Sequence, residues 1–248
     1  MLMRNKPMNT QSFEPHRRGS DKEKAMPANI IVSYDGTANE DDAVALGRLL
    51  GQAGADVSLA YVAHTTDSPG DTQGILDRGR ELLGDPHAAA HVVTDRSTPE
   101  GLAALAEREG ADAIVFCSDS HTAKRHVSIG NSAQRLLQGG RTAIAIAPVD
   151  LAENSTGVRR IVAVGDADGG ARQTAASLAD ALGAQVAPVA NEQTDLLVLD
   201  SRDGAEPGQV WLSSSAEHLI EISSCAVLVL PRGVQLSFGR QPGVVSAA

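Results

Sequence analysis

Two short polar segments of this chain contain the residue types that proteins use to hold phosphate groups. An Asp-Gly-Thr segment at residues 35–37 follows an apolar run, and a Gly-Asn-Ser segment at residues 130–132 begins an amphipathic stretch. Phosphate is held by backbone N–H groups on loops and at helix N-termini, and a glycine without Cβ lets the backbone approach closely. Backbone groups in segments of this kind can contribute to an anion site. A simpler interpretation also stays open for each, namely a turn into a helix for the first and an ordinary helix start for the second.

Other side chains suggest little further chemistry. Lys124, Arg125 and His126 are able to neutralise phosphate, or they belong to a solvated loop, and both interpretations stay open. Cys117 fits a small buried hydrophobe better than a nucleophile, because no histidine is adjacent to it in sequence. His121 and His126 have no ligand cluster around them, and the common nucleotide-loop, serine-hydrolase and zinc-protease motifs are missing. We predict no catalytic residues and no metal site.

The composition argues against nucleic acid as a partner. The chain of 248 residues has 21 basic and 31 acidic side chains, for a net charge of −10. Residues 1–27 contain six basic and three acidic residues, so the remainder carries −13. Binding to a phosphate backbone requires clustered lysine and arginine, and the six aromatic residues offer few platforms for stacking bases.

The chain also shows no signal for a membrane or for an oxidising compartment. No apolar run approaches the ~20 residues of a membrane helix, and a signal-peptide core is not recognisable. Cys117 and Cys225 are far apart, which does not indicate a disulfide framework. We expect a cytoplasmic protein without a membrane partner.

Short apolar runs alternate with helical patterns along most of the chain. Such near-continuous apolar strands predict an α/β fold, a mostly parallel sheet with helices on both faces. The predicted strands are residues 30–34, 57–62, 91–94, 113–117, 143–147, 161–164, 185–190, 196–200 and 226–230. The predicted organisation is a disordered tail at 1–27, a complete unit at 28–150, a linker at 151–157, a truncated unit at 158–233 and a flexible tail at 234–248.

The two units are related by an internal repeat. Residues 129–148 align without gaps with residues 212–231, an offset of 83, whereas residues 31–35 align with 162–166 at an offset of 131. The difference of 48 corresponds to a helix, strand and helix at 72–110 that the second unit lacks. An exposed apolar edge at the last strands, 143–147 and 226–230, would invite aggregation.

These features resemble the universal stress protein family. Its first strand ends in Asp-Gly-Ser/Thr, its second in His-Val where Tyr61-Val62 stand here, and its nucleotide loop has glycines separated by two and nine residues. The loop spacing is intact, although Cys117 and Ser120 replace two glycines, and Cys225 falls where members often have Cys-Pro. The resemblance implies a nucleotide-binding fold like that of the adenine nucleotide alpha-hydrolases. Because the last strands of two family units pair, it also implies that strands 143–147 and 226–230 pair within this chain and give a pseudo-dimer.

By this resemblance, nine positions form the nucleotide site. They are Asp35, Gly36, Thr37, Val62, Cys117, Ser120, Gly130, Asn131 and Ser132. The family pattern implies that the Val62 backbone faces adenine, Asp35 lies on the ribose side, and residues 130–132 contact the phosphates. Since two glycines are lost, we expect weak or absent ATP binding with a small preference for ATP over adenosine. In the second unit, Asp200 and Asp203 stand where phosphates would lie, so we expect no nucleotide there.

The resemblance is compatible with three hypotheses about the function of the protein. The first is a non-enzymatic stress-response protein with ATP or another adenine nucleotide as a weak ligand. The second is an interaction scaffold that has lost nucleotide binding, and the third is a weak nucleotide hydrolase, for which the sequence offers no positioned base or metal ligands. The expected partners are an adenine nucleotide and the chain itself, through intramolecular pairing of its units, with a further homodimer left open.

Overall fold

The computed structural model describes residues 27–64, 72–166 and 169–239. The strands are β1 (Asn29–Ser33), β2 (Asp56–Ala63), β3 (Ala90–Thr94), β4 (Ala113–Cys117), β5 (Ala143–Ala147), β6 (Arg160–Val164), β7 (Gln185–Ala187), β8 (Leu196–Asp200) and β9 (Ala226–Leu230). The helices are α1 (Glu40–Gln52), α2 (Thr72–Leu83), α3 (Thr98–Glu109), α4 (Asn131–Leu136), α5 (Leu151–Asn154), α6 (Gly170–Leu182) and α7 (Ser214–Glu221).

The nine strands form one sheet in the order β3-β2-β1-β4-β5-β9-β8-β6-β7. Every pair is parallel except β5 and β9, which run antiparallel with Ala145 opposite Leu228. The predicted α/β class and the predicted pairing of the last strands are therefore confirmed. We call β1 to β5 the first half and β6 to β9 the second half.

Helices cover both faces of the sheet. In β5, Ala143, Ala145 and Ala147 belong to the core on one face, whereas Ile144 and Ile146 belong to the core on the other. Helices α1, α2 and α6 pack on the first face, and α3, α4 and α7 pack on the second. Because successive strand residues point to opposite faces, strands covered on both sides must be apolar throughout, which is the pattern that the sequence shows.

The same hydrogen bonds recur in the two halves at the offsets found in the sequence. Asp112 Oδ2 accepts the Asn29 N–H at 2.8 Å, and Asp195 Oδ2 accepts the Arg160 N–H at 2.8 Å. The aspartates are 83 positions apart and the donors 131 positions apart. In the first half this contact joins the start of β1 to the turn before β4. In the second half it joins the start of β6 to the turn before β8.

The second half is shorter at its outer edge. The strand predicted at residues 185–190 ends at Ala187, because Pro188 cannot continue the ladder. Between β7 and β8 the chain forms only turns, in place of the helices and strand that follow β2. Val186 and Val189 are consequently 47% and 70% exposed.

The segment predicted as a linker at 151–157 begins with the short helix α5. The buried Asp42 carboxylate accepts the Asp150 N–H at 2.9 Å and the Ala152 N–H at 2.8 Å. Asp42 therefore anchors the start of α5 to α1, and the segment is less free than its polar composition suggested. The division into units at 28–150 and 158–233 stays a prediction.

The flexible tail predicted from residue 234 is wrong for residues 234–239. Leu236 and Phe238 are buried, and the Leu236 N–H donates to Thr174 Oγ1 at 2.9 Å. The Phe238 N–H donates to Ser177 Oγ at 2.7 Å, which fixes the segment along α6. Val234, Leu236 and Phe238 alternate with polar residues, a pattern that lets an extended segment bury one side. The remainder of the predicted tail, 240–248, and residues 1–26 of the predicted N-terminal tail lie outside the described residues.

Over the described ranges, none of the helices combines the length and the hydrophobicity needed to cross a bilayer.

Candidate functional site

A cavity of about 370 Å³ opens at the carboxyl ends of β1, β2 and β4. The strand order reverses between β1 and β4, and open α/β sheets bind ligands at such a switch point. The volume is at the small end of the ~300–1,000 Å³ typical of small-molecule sites. The fold therefore provides a ligand-sized site at the place that strand order favours.

Seven of the nine predicted binding residues line this cavity. They are Asp35, Val62, Cys117, Ser120, Gly130, Asn131 and Ser132. Gly36 and Thr37 do not line it. Gly36 has a φ of +87° and packs against Ile75, and the Thr37 N–H donates to Asp35 Oδ1 at 2.9 Å. For these two residues the geometry agrees with the turn interpretation.

A pair of carboxyl groups lies at the cavity wall. The Asp35 N–H donates to Glu40 Oε2, which places the first residue of α1 beside the end of β1. Burial, followed by contact with Asp35, raises the pKa of Glu40 to about 9. Glu40 is therefore neutral at pH 7. Burial, followed by the charges of Glu40 and Asp35, raises the pKa of Cys117 to about 12, so that its thiol is a poor nucleophile.

The loop from β4 to α4 uses several of its own hydrogen-bonding groups internally. The Ser118 hydroxyl donates to the Ala147 carbonyl at 2.6 Å and accepts the Ser128 N–H at 3.2 Å. Asp119 Oδ1 accepts the His121 N–H at 3.0 Å, and the Asp119 N–H donates to Ser128 Oγ at 3.2 Å. The N–H groups of Asp119, His121 and Ser128 are therefore already hydrogen-bonded within the loop. That of His121 donates to the Asp119 carboxylate, in the position where an anion would need a donor.

The three basic loop residues stand outside the cavity. Lys124 is 77% exposed and its Nζ lies 3.0 Å from the Asp150 carboxylate. The Arg125 N–H donates to the Val149 carbonyl at 3.0 Å. Lys124, Arg125 and His126 are not among the described residues that line the cavity, which agrees with the solvated-loop interpretation.

A shallow groove of about 330 Å³ adjoins the cavity between the starts of α3 and α4. Arg96 and Arg135 line it, and it shares Thr98, Asn131 and Ser132 with the cavity. The two arginines therefore bring positive charge to a site whose own described lining has neither lysine nor arginine.

Sequence reasoning missed four residues that shape this site, Glu40, Asp119, Arg96 and Arg135. Glu40 is one of the acidic residues in the first turn of α1, for which a charge that complements the helix dipole is the ordinary interpretation. Asp119 could have been found, because it lies inside the segment with family spacing. The arginines left no comparable signal, since they approach one another only when α3 and α4 are side by side.

A second cavity, of about 1230 Å³ as enclosed by the described residues, lies at the carboxyl ends of β6 and β8. Asp200 and Asp203, which the resemblance places where phosphates would lie, are among its lining residues. Asp200 Oδ1 accepts the Ala171 N–H at 2.8 Å at the start of α6, and Oδ2 has no partner among the described residues. Burial, followed by the charges of Asp166 and Asp203, raises the pKa of Asp200. This cavity is larger than the first. The Ala171 N–H, which a phosphate at the start of α6 would need as a donor, already donates to the Asp200 carboxylate.

Across the described residues, no three His, Cys, Asp or Glu side chains are grouped so that they could hold a metal ion.

Solved structures share this fold, although no family model and no curated protein matches the chain. A universal stress protein from Archaeoglobus fulgidus DSM 4304 matches with a TM-score of 0.57 and 14% identity, over 83% of this chain and 98% of that one. A candidate universal stress protein from Pseudomonas aeruginosa UCBPP-PA14 matches with a TM-score of 0.59 and 15% identity, over 84% and 94%. A universal stress protein in complex with cAMP covers 49% of this chain and 97% of its own, with 17% identity and a TM-score of only 0.39. The chain has the fold of the universal stress proteins.

Proposed function

We propose that this chain is a tandem universal stress protein, non-enzymatic, whose first-half cavity is a weak site for an adenine nucleotide. The observation that carries the proposal is the position of the cavity at the switch point, lined by seven of the nine residues that family resemblance nominated. The shared fold supports the family, and the recurring hydrogen bonds of Asp112 and Asp195 support a tandem origin.

The end of β2 is suited to hold a purine base. The Ala60 carbonyl accepts the Tyr34 N–H at 2.9 Å, which is the last bond between β1 and β2. Backbone groups alternate in direction along a strand, so those of Val62 point to the same side, beyond the end of β1. The backbone N–H and C=O groups of Val62 therefore face the cavity edge, where they match an acceptor and a donor atom of adenine.

Asp35 is suited to the ribose. A carboxylate accepts hydrogen bonds from hydroxyl groups, and Asp35 lines the cavity next to the base position at Val62. The remaining Asp35 interactions, with the Thr37 N–H and with Glu40, hold its carboxyl group in place.

Calorimetry tests this assignment. We expect adenosine and ATP to bind weakly, and Asp35→Ala to weaken both by about tenfold, because the ribose contact is common to both ligands. The matched control is Asp203→Ala in the second cavity, which should change neither affinity. Binding that survives Asp35→Ala unchanged would place the site elsewhere.

Two alternatives have distinct outcomes. The hydrogen bonds within the loop from β4 to α4 favour the hypothesis of an interaction scaffold that has lost nucleotide binding. That hypothesis predicts no binding of any adenine compound. A hydrolase would release phosphate from ATP faster than its Asp35→Ala variant. We expect no such release, because the cavity thiol of Cys117 has a pKa of about 12 and Glu40 is protonated at neutral pH.

A further inference from the structure

The charge inside the first-half cavity is unfavourable for a phosphate chain. Asp35 and Asp119 line it, and none of its described lining residues is a lysine or an arginine. Phosphate close to carboxylates is repelled, most strongly where water is scarce. The nucleoside part of a nucleotide fits this environment, because its hydroxyl and amino groups donate hydrogen bonds to carboxylates.

The loop that carries the family spacing offers phosphate little compensation. The His121 N–H already donates to the Asp119 carboxylate, and the Ser128 N–H donates to the Ser118 hydroxyl. A phosphate group in this loop would have to displace these bonds and lie beside the Asp119 carboxylate. The usual direction for the phosphates is therefore disfavoured in this chain.

The adjoining groove has the opposite charge. Arg96 is exposed, and the Arg135 side chain is 69% exposed. The Arg135 guanidinium lies 4.0 Å from the Glu100 carboxylate, and at this distance in solvent the ion pair is too weak to neutralise the arginine. The groove shares one wall with the cavity, made of Thr98, Asn131 and Ser132. These three side chains can donate hydrogen bonds along the path from one space to the other.

We propose that a nucleotide in the first-half cavity directs its phosphates over Thr98, Asn131 and Ser132 to Arg96 and Arg135. The inference rests on the proposed adenine site and specifies how that site distinguishes nucleotide from nucleoside. Guanidinium groups recognise phosphate oxygens through charge-assisted, often bidentate hydrogen bonds. The arginines therefore supply the phosphate recognition that the loop has lost together with its glycines.

The test compares ATP and adenosine in calorimetry on the full chain and on an Arg96→Ala/Arg135→Ala double variant. Both side chains lie at the surface, so the variant should fold. We expect the wild type to bind ATP about tenfold more tightly than adenosine at low salt, an advantage that shrinks as salt is raised. The double variant should lose this advantage, while its affinity for adenosine stays within about twofold of wild type. Arg108→Ala, at the far end of α3, is the matched control and should retain the ATP preference.

Each outcome separates the two claims. An ATP preference that persists in the double variant, or a wild type that binds adenosine as tightly as ATP, overturns the arginine route and leaves the adenine site standing. If neither ligand binds the wild type, the proposed function and the arginine route both fail. Loss of the preference in the double variant but not in Arg108→Ala supports the route.

Discussion

Ser118 and Ser201 make the same two hydrogen bonds in the two halves of the protein. Each hydroxyl donates to the carbonyl of the last residue of the neighbouring strand, at 2.6 Å and 2.7 Å. Each also accepts a backbone N–H from ten residues further on, at 3.2 Å and 3.1 Å. The two serines are separated by the repeat offset of 83, and both are buried. The pair ties each loop to the central strands β5 and β9.

We therefore predict that Ser118→Ala and Ser201→Ala each lower the free energy of unfolding by ~1–3 kcal/mol, because each leaves buried backbone groups without a partner. The effects should add in the double variant, since the serines share no contacts. Urea unfolding followed by the fluorescence of Trp211, the single tryptophan, measures this. Ser214→Ala, at an exposed position in α7, is the control and should change stability by less than ~0.5 kcal/mol.

Glu40 should make stability depend on pH. Its folded pKa of about 9 lies above the ~4.3 of an unfolded glutamate, so the folded protein binds this proton more tightly. The contribution to stability is complete below about pH 4.3 and is lost as the pH rises towards about 9. We expect Glu40→Gln, which cannot ionise, to match wild type near pH 4.5 and to exceed it by more than ~1.4 kcal/mol at pH 9.

Urea unfolding at several pH values measures that difference, with Glu107→Gln on the exposed side of α3 as the control. A difference between Glu40→Gln and wild type that does not grow with pH would show that Glu40 is ionised in the folded protein.

The segment at residues 234–239 should contribute strongly to stability. Leu236→Ala should cost ~2–5 kcal/mol, because it leaves a cavity against α6. Gln235→Ala, on the exposed side of the same segment, should cost less than ~0.5 kcal/mol. Thermal unfolding of both variants checks this, and equal melting temperatures would mean that the segment does not pack in solution.

Gly130 and Gly47 should respond oppositely to valine. A Cβ at Gly130 would meet nothing within 4 Å, whereas a Cβ at Gly47 would lie 2.5 Å from Val32 Cγ2 in the core. Gly130→Val should therefore fold normally, and it should weaken ATP binding because Gly130 lines the cavity. Gly47→Val should lower stability by ~1–3 kcal/mol through overpacking. Thermal melts and calorimetry on both variants separate the two effects, and an unchanged ATP affinity in Gly130→Val would exclude the residue from the site.

The second half should bind no nucleotide, because the Asp200 carboxylate already accepts the Ala171 N–H. Calorimetry should therefore give one ATP per chain. A stoichiometry of two, or chemical shift changes on ATP addition at residues 213–215, would contradict this.

The amino-acid sequence determined the fold to a large extent through local patterns. Apolar strands that alternate with amphipathic helices are visible along the chain, and the repeat together with the family resemblance predicted that β5 pairs with β9. The antiparallel direction of that pair comes from the structure. Most of the cavity residues were also predicted, through the family resemblance. Residues such as Asp35, Val62 and Ser120 lie at or just after strand ends, which meet at one edge of a parallel sheet.

Contacts between segments that are distant in sequence were decided only by the tertiary structure. The alternation of Leu236 and Phe238 does not reveal that α6 is their partner, and the anchoring of α5 by Asp42 and the placement of Arg96 and Arg135 around one groove have no periodic signature. The proton on Glu40 depends on burial and on Asp35, neither of which a local pattern reports. Periodicity records which face of an element is buried, whereas the charge of a site depends on which elements come together around it.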